Sequence, residues 1–185
     1  MFETLISKLQ DDKYLTLETT PQHEPSMHNI VEKIKKFKID SKVDGFTCTD
    51  NPLAKLKYNS LFAALKLQQE FKKPVIATMT MRDRNKIALQ SDLLGANDFD
   101  IRAILALTGD PANMSDQPNS KGVFEANSLM LLKMIKSFNY GMDFAGRPFK
   151  IEPKQIFPFA VVNAYAKNFG SLEKKMHLKI QNGAV

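Results

Sequence analysis

Five times along this chain a short apolar run of period two is followed by a longer segment whose apolar residues recur every three to four positions. A chain with that rhythm buries each run as a strand and lays each longer segment across it as a helix. Unbroken alternation of this kind leads to a parallel sheet joined by right-handed crossovers. The strands are read at residues 14–21, 43–49, 74–80, 101–107 and 157–162. The fourth is nearly all apolar, as expected of a strand covered on both faces. Ser26 is expected to cap a helix through Ile30, Val31, Ile34 and Phe37, and Asn59 or Ser60 to start one over 61–71. Further helices are expected over 86–94, 124–138 and 172–181, the last begun by Ser171 and ended by Asn182-Gly183. Residues 112–122 form a long polar connection, and long loops are more often functional than short ones. Residues 139–148 read as an irregular or hairpin-like excursion.

Composition narrows the class. A length of 185 residues suits a single domain spanning 1–185, and no repeat exceeds the strand–helix unit. No apolar run approaches the roughly 18–20 residues of a membrane span, and the N-terminus lacks the charged-then-apolar order of a signal peptide. The one cysteine, Cys48, excludes an internal disulfide and suits a reducing cytoplasm. Within its strand it reads as a small buried hydrophobe, and Met79 and Met81 read as core filling. The net charge of +6 comes largely from lysines at helix ends, where cations suit the dipole. No basic face interleaved with aromatics points to nucleic acid. His23, His28 and His177 are scattered, with no spacing that makes a metal site.

Two architectures satisfy the alternation. A doubly wound sheet is complete with five strands, whereas a (β/α)₈ barrel needs eight and about 250 residues. Length favours the open sheet. The absence of G-x-G-x-x-G and of a P-loop weakens the usual nucleotide-binding versions of it. In either fold function gathers at the carboxyl ends of the strands. Those ends carry Glu18, Thr49 and Asp50, Thr78 with Thr80, Arg82 and Asp83, then Thr108, Gly109 and Asp110, and Asn163. A carboxylate in an apolar strand end is costly unless used or paired. Glu18 is therefore a candidate general acid with a raised pKa, or else a partner of Arg82 or Arg84 in an ion pair.

Taken in order, these segments resemble methylenetetrahydrofolate reductase. They are Leu17-Glu-Thr-Thr-Pro21, Val43-Asp-Gly-Phe-Thr-Cys-Thr-Asp-Asn-Pro52, Met81-Arg-Asp-Arg-Asn85, Leu89-Gln-Ser-Asp-Leu-Leu-Gly-Ala96, Leu105-Ala-Leu-Thr-Gly-Asp-Pro111, Gly122-Val-Phe-Glu125 and Lys179-Ile-Gln-Asn-Gly-Ala184. Each piece is weak alone, but seven in the family's order span essentially the whole chain. The form with Thr-Asp-Asn-Pro and Arg-Asp-Arg-Asn looks closest to the reductase module fused to a homocysteine methyltransferase in some bacteria.

The resemblance implies a (β/α)₈ TIM barrel, of which 1–185 supplies about the first five βα units, stopping before strand six. It also implies an oxidoreductase of one-carbon and methionine metabolism, with FAD as cofactor, NAD(P)H as co-substrate and a folate as substrate. By position, Glu18 matches the acid that protonates folate N10. Asp110 matches a folate and flavin contact that also stabilises developing positive charge. Thr49, Asp50 and Pro52 match the flavin-side turn after strand two. Thr78 falls where several members have a flavin-contacting His. Thr108 and Gly109 match the loop against the isoalloxazine, Phe124 and Glu125 the adenine-side loop, and Lys179 a cation beside the cofactor phosphates. Ala164, after Asn163, replaces a proline frequent in relatives. An alternative expectation is a truncated, non-catalytic paralogue whose barrel a partner subunit or a second copy completes.

Overall fold

The computed structural model describes residues 1–11, 13–163, 165 and 167–185. Six α-helices and five strands follow one another: α1 (Phe2–Asp11), β1 (Thr16–Thr19), α2 (His28–Lys36), β2 (Gly45–Cys48), α3 (Ser60–Phe71), β3 (Val75–Thr80), α4 (Lys86–Asp98), β4 (Ala103–Leu107), α5 (Ser128–Asn139), β5 (Phe157–Ala160) and α6 (Phe169–Gln181). The strands lie in the order β1-β2-β3-β4-β5. A doubly wound sheet turns back at a switch point, whereas a barrel adds each strand beside the last. The sequential order is therefore that of the first five βα units of a (β/α)₈ barrel.

The chain divides into two compact units, Met1–Met79 with Asp110–Lys121, and Thr80–Gly109 with Gly122–Val185. In the first, β1 pairs with β2 and β2 with β3, all parallel, with Leu17 opposite Phe46 and Phe46 opposite Val75. Alternation puts Phe46, Cys48, Val75, Ala77 and Met79 on one face of the sheet, all with no exposed surface. Ala63, Ala64 and Leu67 of α3 are equally buried, and Phe46 meets Phe71 at the end of α3 with ring centroids 5.2 Å apart. Full burial of each large side chain contributes about 1.5–3 kcal/mol. Gly45 opens β2 because a Cβ there would stand 2.6 Å from the Pro74 carbonyl oxygen and 2.5 Å from the Tyr14 hydroxyl. In the second unit β4 pairs in parallel with β5, and Ile104 and Ala106 lie buried with Leu131, Leu132 and Ile135 of α5.

Four helices that follow a strand start on an asparagine. Asn59, Asn85, Asn127 and Asn168 each accept a backbone N–H of the first turn through their side-chain oxygen. Such a cap is worth about 1 kcal/mol.

Several elements differ from the sequence expectation. α1 is an unexpected helix, with Phe2 and Leu5 wholly buried. Ser26 accepts from His28 N–H at 3.1 Å, but the residue at the helix cap is Met27, which makes no side-chain cap. α4 runs on to Asp98, and α6 begins at Phe169, two residues before Ser171. α5 begins at Ser128, so Phe124 is a loop residue with φ +38°. The excursion at 139–148 is hairpin-like, with an antiparallel bridge between Met142 and Pro148. Ala164 lies outside the described residues. No helix among the described residues is long and apolar enough to cross a membrane.

Candidate functional site

The site residues expected from the sequence divide between the two units. Glu18, Thr49, Asp50, Pro52, Thr78 and Asp110 fall in the first, and Thr108, Gly109, Phe124, Glu125 and Lys179 in the second.

In the first unit the sheet face opposite the helix-covered one carries the polar residues. Glu18 sits opposite Thr47, and Thr47 opposite Ile76, while Thr49 and Thr78 lie two residues further along their chains on the same side. Glu18 is exposed and has no hydrogen-bond or ion-pair partner among the described residues. Two readings of it are thereby corrected. Arg82 pairs with Asp83, and Arg84 with Asp92, rather than with Glu18. The apolar burial expected of a residue in its strand end is also not present. The Thr49 backbone N–H donates to the Thr19 carbonyl at 3.2 Å, drawing the carboxyl ends of β1 and β2 together. The Oγ1 atoms of both threonines are buried with no partner among the described residues. A buried hydroxyl left unpaired costs about 1–3 kcal/mol, so such atoms mark places where a ligand group is wanted. Thr78 is buried, and its carbonyl accepts from the Ser60 hydroxyl at 2.8 Å. Asp50 is buried as well.

The turn that follows Asp50 is strained. Asn51, Leu53 and Ala54 have φ of +43°, +56° and +56°, none of them glycine. A left-handed conformation costs an ordinary residue about 1–2 kcal/mol. Pro52 sets the entry to this turn, and the Asn51 side chain accepts from Lys57 N–H at 2.8 Å. Asp110 accepts from Leu53 N–H at 2.7 Å through Oδ2, a charged hydrogen bond of the stronger kind. Its Oδ1 has no partner among the described residues. The structure thus ties Asp110 to the neighbour of Pro52, a link that spans 57 positions and has no local signal in the sequence.

In the second unit Gly109 adopts φ +97°, and a Cβ on it would lie 3.0 Å from Arg82 Cβ and 3.2 Å from Thr80 Cβ. Only glycine fits that position. Thr108 accepts from Ser128 N–H at 3.2 Å, joining the exit of β4 to the start of α5. Glu125 accepts from Lys86 N–H at 3.0 Å, placing its charge on the N-terminus of α4, where an anion is favoured. Phe124 is at the margin of exposure beside it. Arg82 is buried, with its guanidinium held by the Asp83 carboxylate at 2.8 and 2.6 Å, and its carbonyl accepts from Val123 N–H. The Lys179 amine donates to the Val161 carbonyl at 2.5 Å at the exit of β5. It lines a cavity of about 510 Å³ with Asn163, Lys167, Ser171, Lys175 and Met176. Burial, then the neighbouring charge of Lys175, lowers the Lys179 pKa.

Cys48 is buried, and burial pushes its thiol up to about 12, which leaves it inert. No group of three or more His, Cys, Asp or Glu among the described residues is placed to hold a metal ion.

A parallel sheet in sequential strand order defines a barrel-type α/β protein, a fold in which function gathers at the carboxyl ends of the strands. A family model described as methylenetetrahydrofolate reductase matches residues 3–185. The chain belongs to the methylenetetrahydrofolate reductase family, and membership implies oxidoreductase chemistry on a folate. No curated protein matches the chain.

Proposed function

We propose that this protein takes part in the reduction of 5,10-methylenetetrahydrofolate to 5-methyltetrahydrofolate, using FAD and NAD(P)H in one-carbon and methionine metabolism. The observation that carries the reading is the set of unsatisfied polar atoms at the strand exits. Among the described residues Thr49 Oγ1 is buried without a partner, and Asp110 holds one oxygen on Leu53 N–H with the other free. These atoms fit a flavin and folate site. Thr49, Asp50 and Pro52 would hold the flavin from the β2 exit, and Thr78 from β3. By the resemblance, Thr108, Gly109, Phe124 and Glu125 of the second unit are flavin-side residues as well, and Lys179 is a cation suited to a diphosphate. When bound, the flavin carries the hydride between the nicotinamide and the folate.

The chain's own residues supply the remainder. Glu18, exposed and unpaired, donates a proton to folate N10 so that the five-membered ring opens to an iminium. Asp110 turns its free oxygen to the positive charge that develops. Gly109 lets the backbone come close where any side chain would intrude. After α6, Val185 N–H donates to the Pro158 carbonyl of β5 at 2.9 Å. The bifunctional form with a fused methyltransferase is part of the same reading.

The test is a visible spectrum of the purified protein after incubation with FAD and gel filtration. Flavin bands that bleach on adding NAD(P)H and return on adding methylenetetrahydrofolate are expected. Protein free of flavin at saturating FAD refutes the reading and leaves the non-catalytic paralogue.

A further inference from the structure

The turn at 51–57 is held by two carboxylates that reach it from the polar segment 110–121. Asp110 Oδ2 accepts from Leu53 N–H at 2.7 Å, and Asp116 Oδ1 accepts from Leu56 N–H at 3.2 Å. Both contacts lie within one compact unit. Between those amides the backbone is left-handed at Leu53 and Ala54. A non-glycine turn of this shape relaxes towards ordinary φ unless its amides are pinned. Leu53 and Leu56 are both about half exposed, so side-chain burial does little to hold the turn. Asp116 is itself oriented, because Gln117 Nε2 donates to its Oδ1 at 3.1 Å and Gln117 N–H donates to Ser115 Oγ at 3.1 Å.

A carboxylate rotates freely about its last torsion until one oxygen is bonded. For Asp110 that bond is the Leu53 amide. The direction of its free Oδ1 therefore depends on where the turn holds that amide. We propose that Asp116 is a positioning residue. By pinning Leu56 N–H it keeps the turn left-handed, and through Leu53 N–H it aims the free oxygen of Asp110. The aim matters for catalysis only on the proposed reading, in which Asp110 faces the ligand; the linkage itself does not depend on that reading.

Amide hydrogen exchange on the full chain without ligand tests the linkage. Asp116→Ala is compared with Asp116→Asn, which keeps an acceptor oxygen. Leu53 N–H keeps its own acceptor in both variants, so a merely local role for Asp116 leaves its exchange unchanged. Linkage predicts that Asp116→Ala speeds exchange at Leu53 by about tenfold, the loss of one hydrogen bond of ordinary net strength. It predicts that Asp116→Asn returns Leu53 to within about threefold of wild type, while the amides of α3 hold their rates in both. Unchanged Leu53 exchange in Asp116→Ala overturns the proposal, as does equal loss in the Asn variant. FAD titration read by flavin fluorescence then separates the two readings. If Leu53 responds and wild type binds no FAD, positioning stands and the proposed function falls. If wild type binds FAD and Leu53 does not respond, the reverse holds.

Discussion

Replacing Gly109 by alanine combines two separable costs that the structure assigns one by one. The residue has φ +97°, where an L side chain costs about 1–2 kcal/mol. The new methyl group would also sit 3.0 Å from Arg82 Cβ and 3.2 Å from Thr80 Cβ, inside the ordinary carbon–carbon separation of about 3.5–4.0 Å. Both neighbours are buried, so neither has room to give way. Overpacking of that kind adds about 1–3 kcal/mol. The sum is about 2–5 kcal/mol, which for a chain of this length lowers Tm by roughly 5–15 °C. Two other glycines dissect it. Gly141 has φ +74° with nothing within 4 Å of its would-be Cβ, so Gly141→Ala carries only the backbone cost. Gly95 lies in the exposed middle of α4 with ordinary φ and open space, so Gly95→Ala stabilises by about 1 kcal/mol. Calorimetric scans of the three variants give the order directly. If Gly109→Ala loses no more than Gly141→Ala, the close approach of the β3 and β4 exits is not as described and the argument fails.

Glu18→Gln is expected to abolish folate reduction while flavin reduction by NAD(P)H stays within about threefold of wild type, since a group acting as proton donor affects only the step that needs the proton. Stopped-flow measurement of the two half-reactions checks this, and an equal fall in both removes Glu18 from that role. Acid stability has a definite sign at Glu70, whose carboxyl is drawn from 4.5 to about 2, first by the hydrogen bond from Lys66 and then by that from Lys35. A depressed folded pKa stabilises above the unfolded value and is lost as pH falls, so Glu70→Gln should flatten the decline of Tm between pH 4.5 and about 2. Because the ion pairs at 2.8 and 2.9 Å are solvent-exposed, 1 M salt should shrink the difference; a difference that persists in full counts against this account.

The alternation of periods made the five βα units legible, because period two and period 3.6 are local properties that packing only has to accept. The asparagine caps at Asn59, Asn85, Asn127 and Asn168 are local too, although the sequence pattern singles out only Asn59 among them. α1 escaped because its few apolar residues lie on one narrow stripe, with Phe2 and Leu5 buried only once the sheet exists. The apolar pattern carries the expected helix back to Phe124, past the Asn127 cap, whereas the chain there follows Arg82, whose carbonyl takes Val123 N–H. The resemblance places Glu18, Thr49 and Asp110 at strand ends and Lys179 in the last helix, and in the structure Glu18 lies within β1 and Lys179 within α6. It does not say which partners each side chain has. Glu18 stands free rather than paired, and Asp110 reaches Leu53 across 57 positions.

The sequence by itself determined the strand–helix alternation and the family, because both are written in residue types and spacings along the chain. Only the tertiary structure decided the strand order that makes this a barrel segment rather than a doubly wound sheet. It alone decided as well which carboxylates are bound and which are free. Strand neighbours and hydrogen-bond partners are chosen by distances across the fold, and a linear order of residues carries no such distances.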